Sequence, residues 1–245
     1  MRIPRLYHPE NLSVGMKVQL SATAFQHAVR VLRLRVGMPI IIFNGHGGEY
    51  QANLCEIGKR SAFVQIGTFN GYETEATLDI TLGLCISKTE PMDFAIQKAT
   101  ELGVTAIQPL FSERSIMPIQ GERLQKKLSH WQGILVSACE QCGRNRLPFL
   151  QAPNSLEDWL YTPEHSALKL VLDPTAKLRL RQLAEPIPHS VSVLNGPEGG
   201  LSEPEITLAQ ASGFHRINLG PRTLRTETAA LTALSAVLAL WGDLA

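Results

Sequence analysis

Between residues 17 and 66 the apolar side chains fall into short β-type runs, Lys17–Leu20, Pro39–Phe43, Tyr50–Leu54 and Ala62–Ile66, separated by turn-forming residues. One helical run interrupts them: over Ala24–Leu34, Phe25, Ala28, Val29 and Leu32 recur at helical spacing, with Arg30, Arg33 and Arg35 among the polar positions. Asn44-Gly45-His46-Gly47-Gly48 reads as a hairpin loop. So few strands must manage their own edges, which predicts a compact, partly closed β-barrel over residues 1–70.

The polar stretch Asn70–Thr77 ends this pattern, and a second domain is predicted over residues 71–245. There strands and helices alternate: Leu78–Ser87 reads as a strand, Met92–Leu102 as a helix closed by Gly103, and Val104–Phe111 as the next strand. Leu124, Leu128, Trp131, Leu135, Ala138 and Cys142 follow spacings of 4, 3, 4, 3 and 4, the clearest amphipathic helix in the chain, with Gly143 as its C-terminal stop. Later strands are read at Leu168–Leu172, Ser190–Leu194 and His215–Leu219. Such alternation implies an α/β fold, a parallel sheet with helices on both faces.

Composition narrows the function classes without choosing one. The 245 residues are 44% hydrophobic and 18% charged with a formal net charge of +1, which excludes a disordered or fibrous chain and gives no bulk pull toward nucleic acid or membrane. The apolar run Ala229–Trp241 is interrupted by Thr232 and Ser235 and falls short of the ~20 residues that span a bilayer; the first residues lack a signal-type apolar core. A cytoplasmic location is therefore expected. The Cys139-x-x-Cys142 pair could be half a zinc site or a redox centre, but no second pair or suitable histidines complete it; both cysteines are read as reduced helix residues and no metal is expected. Charge is uneven, however: residues 1–60 carry eight Lys/Arg against three acids. That excess reads either as a solvated polar surface or as phosphate contacts on RNA or DNA.

Two glycine-bearing loops carry the candidate chemistry. Val191-Ser-Val-Leu194 runs into Asn195-Gly196-Pro197-Glu198-Gly199-Gly200, and Ser202 with Glu205 forms a capping box that opens a helix. Ile217-Asn-Leu219 runs into Gly220-Pro-Arg-Thr-Leu-Arg225 and then a helix apolar on most faces. The first loop alone could be a plain αβ turn; it matches neither a Walker loop nor Gly-x-Gly-x-x-Gly. Two loops leaving the carboxyl ends of parallel strands line one crevice, and their backbone and apolar character suits a purine-bearing cofactor held by main-chain hydrogen bonds. The ionisable exceptions are Glu198, Arg222, Arg225 and Glu227.

These residues carry a resemblance. Asn195-Gly-Pro-Glu-Gly-Gly200-Leu-Ser and Leu219-Gly-Pro-Arg-Thr-Leu-Arg225-Thr-Glu-Thr-Ala closely resemble the paired motifs of the SPOUT methyltransferases, specifically the bacterial 16S ribosomal RNA (uracil-N3) methyltransferase family. Arg2-Ile-Pro-Arg5, His27-x-x-x-Val31-Leu-Arg33, Ser112-Glu-Arg-Ser115, and Glu140-Gln-x-x-Arg144 with Pro148 extend it over the whole chain. The resemblance implies a PUA-like N-terminal barrel, a C-terminal α/β domain threaded into a trefoil knot, S-adenosylmethionine as cofactor, a homodimer, and 16S ribosomal RNA of the small subunit as substrate. By the same carry-over, Gly196, Pro197, Glu198, Gly199 and Gly200 would hold the donor from one side and Leu219, Gly220 and Leu224 from the other, with Leu172 as a wall. Arg225, Glu227 and Thr228 would complete the loop.

For the chemistry, Arg225 is read as the cation that stabilises the uracil anion and Glu198 as a proton acceptor; their alternative is a salt bridge closing the loop. Arg2, Arg5, Arg33, Arg114, Arg144 and Arg146 are read as RNA contacts. Two other classes stay in view: an RNA-binding ribosome-assembly factor with a vestigial donor pocket, and a nicotinamide or flavin oxidoreductase, against which the missing dinucleotide fingerprint stands.

Overall fold

The computed structural model describes residues 3–115, 120–162, 166–183 and 185–244, so Arg2 lies outside the described residues. The chain divides into two compact units, one running to Glu75 and including Val136–Leu147, the other made of Ala76–Leu135 and the chain from Pro148 onward.

In the first unit β1 (Arg5–Tyr7), β2 (Lys17–Gln19), β3 (Pro39–Phe43), β4 (Glu49–Ile57) and β5 (Ala62–Asn70) form one sheet in the order β1-β3-β4-β5-β2. Every pairing is antiparallel except β1 with β3. Alternate residues, Ile40 and Ile42, Ala52 and Leu54, Ala62, Val64 and Ile66, turn inward to one core, as a period of two demands. The helix expected over Ala24–Leu34 is shorter and changes character. Ser21 caps α1 (Ala22–Phe25) by accepting from Ala24 N at 3.1 Å, and the chain then widens into a π-helical turn over Gln26–Val31. Leu32 N donates to His27 O, five residues back, and Arg33 leaves the turn at φ 55. Arg33 therefore sits, exposed, on a turn rather than on a helix face.

The second unit is a parallel sheet. Its main strands are β6 (Asp79–Cys85), β7 (Ala106–Phe111), β10 (Leu168–Leu172), β12 (Ser190–Asn195) and β13 (His215–Asn218), with short β8 (Phe149–Leu150), β9 (Asn154–Ser155) and β11 (Leu178–Arg179) at its margins. The order is β11-β13-β10-β12-β6-β7-β8, with β9 on β7. Its helices are α2 (Thr89–Glu101), α3 (Gly121–Cys142) as far as Leu135, the rest of α3 belonging to the first unit and ending at Gly143, α4 (Leu156–Tyr161), α5 (Glu203–Ala211) and α6 (Thr226–Trp241). Inward positions again alternate: Ile80, Leu82, Leu170, Val191 and Val193 pack under α2 and α6, while Cys85, Leu110, Val171 and Leu194 pack under α4 and α5. Both faces are thus covered, which is why these strands read as nearly continuous apolar runs.

One connection departs from ordinary α/β practice. Leu172 of β10 and Leu178 of β11 flank Ile217 of β13 from opposite sides, so β13 lies between two strands that are consecutive in sequence. The chain passes β13 through Asp173–Lys177, tied to it by Asp173 N to Ile217 O at 2.9 Å and Asn218 Nδ2 to Pro174 O at 2.6 Å. A strand from later in the chain thus separates two that are consecutive in sequence.

Within the first unit, two arginines expected on RNA are spent internally. Arg5 pairs with Glu49, their side chains 7% and 17% exposed, reaches Asn145 Oδ1 at 2.7 Å and lies 5.0 Å over the Phe43 ring. Arg144 is 4% exposed and gives Nε to Glu75 Oε2 at 3.0 Å. Asn145 Nδ2 donates to Tyr72 O at 2.8 Å, and Tyr7 N to Glu140 Oε1 at 2.9 Å. These bonds make Val136–Leu147 part of this unit. Their partners are distant in sequence, so no local pattern marks them. Glu75→Ala leaves the Arg144 guanidinium buried without its carboxylate, and we expect a loss of about 3–5 kcal/mol in urea unfolding. An unchanged midpoint would show that the pair is not structural.

Candidate active site

Parallel strands bring their carboxyl ends to one edge, and there the second unit opens a cavity of about 660 Å³. Leu172 at the end of β10 with Asp173 and Pro174, Asn195 at the end of β12 with Gly196–Gly200, Asn218 at the end of β13 with Leu219, Gly220 and Arg222–Arg225, and Lys88 and Pro91 at the start of α2 line it. The sequence shapes each wall. A Cβ on Gly196 would stand 3.1 Å from Leu201 N and 3.1 Å from its Cγ, so any side chain there makes Leu201 give by a few tenths of an ångström. Gly220 sits at φ 136, held by its N–H donating to Asn218 Oδ1 at 2.6 Å. The two loops are joined at depth, where buried Asn195 Nδ2 donates to Thr226 O at 3.1 Å.

Two of the three carboxylates that line the cavity, Glu198 and Asp173, accept from backbone amides. Glu198 Oε1 accepts from Lys88 N, at the start of α2, at 3.1 Å. Asp173 Oδ1 accepts from Thr175 N at 2.8 Å and Thr175 Oγ1 at 2.9 Å, while Oδ2 pairs with Arg216. Burial raises the Asp173 pKa, but the Thr175 bonds and the Arg216 guanidinium outweigh it, and the carboxyl titrates below its ordinary range. Glu205 Oε2 accepts from Ser202 N at 2.8 Å, the carboxylate half of the expected capping box. Among the described residues no ion pair holds the side chains of Lys88, Arg222 or Arg225, so the cavity keeps unspent cations.

An RNA methyltransferase domain model matches residues 74–238, and an RNA methyltransferase PUA domain model matches residues 20–67. The ribosomal RNA small subunit methyltransferase E of Buchnera aphidicola (subsp. Schizaphis graminum) is 37% identical over 243 residues, covering 99% of this chain and 98% of the relative. The chain belongs to this methyltransferase family. Among solved structures, the same-named protein of Neisseria gonorrhoeae, bound to S-adenosylmethionine, is 40% identical with a TM-score of 0.92 over the full length of both chains. A methyltransferase of Legionella pneumophila in complex with the bound cofactor SAM is 40% identical, with a TM-score of 0.95, over 99% of this chain and 100% of that one.

Within this family fold, the residues singled out from the sequence separate into three groups. Leu172, Gly196, Pro197, Glu198, Gly199, Gly200, Leu219, Gly220, Leu224, Arg225 and Glu227 all line the one cavity. Thr228 does not: it is exposed on α6, about 200° around the helix from Thr226, which does line it. Of the arginines, Arg33, Arg114 and Arg146 are exposed, and Arg5 and Arg144 are internal. Sequence reasoning missed Lys88, Asp173, Asn195 and Asn218. The two asparagines had a signal, since each ends a strand directly before a glycine loop.

Gly196→Val forces the loop off Leu201 and weakens S-adenosylmethionine binding by about tenfold or more, about 1.4 kcal/mol, in a calorimetric titration; unchanged affinity would overturn the loop's role. For Asp173 the depressed pKa fixes the sign. Its bonds stabilise the fold above the unfolded value of about 3.9 and are lost as pH falls through the lower folded value. Asp173→Asn therefore destabilises on the order of 1–3 kcal/mol at pH 7 in urea unfolding, and the gap from the parent protein narrows as pH falls below about 3.9. A gap that stays constant with pH would contradict this.

Proposed function

We propose that this chain transfers the methyl group of S-adenosylmethionine to N3 of a uridine in 16S ribosomal RNA of the small subunit. One observation carries the reading: in a member of this family, both glycine loops and Leu172 line a single cavity of about 660 Å³ at the carboxyl edge of the sheet. That size lies within the range of cofactor sites. The fit to the donor is chemical as well. Leu172, Pro197, Leu219 and Leu224 give apolar walls for a purine nucleoside, and the loop backbones give hydrogen bonds to its edges. The bound donor supplies a methyl group activated on a sulfonium.

The protein's part is to hold the uridine nitrogen in line with that methyl and to exclude other geometries. Uracil N3 must also lose its proton. Arg225, exposed at the start of α6 and lining the cavity, places a permanent cation where charge grows on the uracil oxygens. Glu198 uses Oε1 to fix the amino end of α2 and keeps Oε2 as a proton acceptor. Arg33, Arg114 and Arg146 are the exposed arginines left for RNA phosphates, and a target uridine must be unstacked to present N3. The enzyme works in the cytoplasm as a homodimer that covers Phe94 of α2 and Leu240 of α6, apolar side chains 47% and 43% exposed in the single chain.

The test is mass spectrometry of 16S ribosomal RNA from cells lacking the protein, followed by incubation of that RNA's small subunits with enzyme and donor. The expected result is one uridine without its N3 methyl that gains it in vitro. Arg225→Ala should lower kcat by about 100-fold. RNA binding without any methyl transfer would favour the assembly-factor reading instead.

A further inference from the structure

The turn after β7 and the glycine loop after β12 belong to strands that are not neighbours, because β6 lies between them. They are nevertheless joined by two independent contacts. Glu205 bridges them with one carboxylate: Oε2 accepts from Ser202 N at 2.8 Å and Oε1 from Glu113 N at 2.7 Å. Arg114 Nη1 donates to Gly199 O at 2.9 Å, and a Cβ on Gly199 would stand 3.4 Å from the Arg114 Cδ. The turn that carries Arg114 is itself rigid, since Ser112 N donates to Ser115 Oγ at 3.1 Å, Ser115 N to Ser112 O at 3.1 Å, and the two hydroxyls meet at 2.7 Å.

A capping box needs only the Ser202 half of the Glu205 contact. The second bond, to Glu113, does no work for α5; it fastens a separate loop. Arg114 is exposed, and its guanidinium has five donors, so one bond to Gly199 O leaves others free for a phosphate. We propose that Glu205 and Arg114 form a latch that couples RNA binding to donor binding, with Glu205 as a positioning residue. RNA phosphate held by Arg114 fixes the Ser112–Ser115 turn, and through Gly199 O and Glu205 it fixes the loop that lines the donor cavity. By linkage the donor strengthens RNA binding by the same factor. The latch rests on the functional reading above.

Titration of S-adenosylhomocysteine, with and without saturating small-subunit RNA, tests it without turnover. For the parent protein we expect RNA to lower the Kd of S-adenosylhomocysteine about fivefold or more, a modest allosteric coupling. Arg114→Ala and Glu205→Ala should each bring the ratio of the two Kd values to about one, and Glu205→Gln, which keeps one acceptor, should retain part of it. A fold defect would appear in thermal unfolding; Arg114→Ala, at an exposed side chain, serves as the variant least exposed to that ambiguity. The latch is overturned if RNA leaves the parent Kd unchanged, or if both alanine variants keep the full ratio. If neither ligand binds the parent protein, the functional reading fails and the latch falls with it.

Discussion

A parallel sheet delivers its loops to one edge but does not bring them together; β12 and β13 are separated by the whole width of β10, about 10 Å from strand to strand. Asn195 closes that gap. It is the last residue of β12, 2% exposed, and its side-chain amide holds the carbonyl of Thr226 at the first turn of α6. Leaving that carbonyl buried without a donor would cost about 1–3 kcal/mol, so the amino end of α6 is drawn to the end of β12 and the loop before it folds over the glycine loop. The cavity is the space between them. The passage of Asp173–Lys177 around β13 supplies the third wall, because it sets Leu172, Asp173 and Pro174 beside Asn218.

Around that space the acids and bases are treated differently. Asp173, Glu198 and Glu205 each accept from backbone N–H groups and so fix loop geometry, and Asp173 is paired with Arg216 as well. Lys88, Arg222 and Arg225 keep their charge facing the cavity. The lining balances Asp173, Glu198 and Glu227 against Lys88, Arg222 and Arg225, and the cations without an ion pair among the described residues are the groups able to meet an anion that develops on a base.

The sequence was informative where the physics is local. The strand Pro39–Phe43 and the strand Leu168–Leu172 were read to the residue, and the spacing from Leu124 to Cys142 marked most of α3. Both glycine loops were legible because a strand must stop at a glycine that the following helix cannot use. Where contacts are distant the pattern was silent. Nothing near Arg144 announces Glu75, and nothing near Arg5 announces Glu49 or Asn145, so two internal arginines looked the same as solvated ones. The placement of β13 between β10 and β11 is equally invisible to periodicity, since each strand reads identically in either order. The threaded fold was reached from the resemblance of motifs. The π-helical turn at Gln26–Val31 was missed for a smaller reason, that widening by one residue per turn barely disturbs helical spacing over six residues.

Calorimetric titration of the purified protein with S-adenosylmethionine, with NADH as the control ligand, shows whether this edge of the sheet is a methyl-donor site. A methyl-donor site binds one S-adenosylmethionine per chain saturably and no NADH. Binding of NADH, or failure of the folded protein to bind S-adenosylmethionine in the presence of small ribosomal subunits as well as alone, would contradict it.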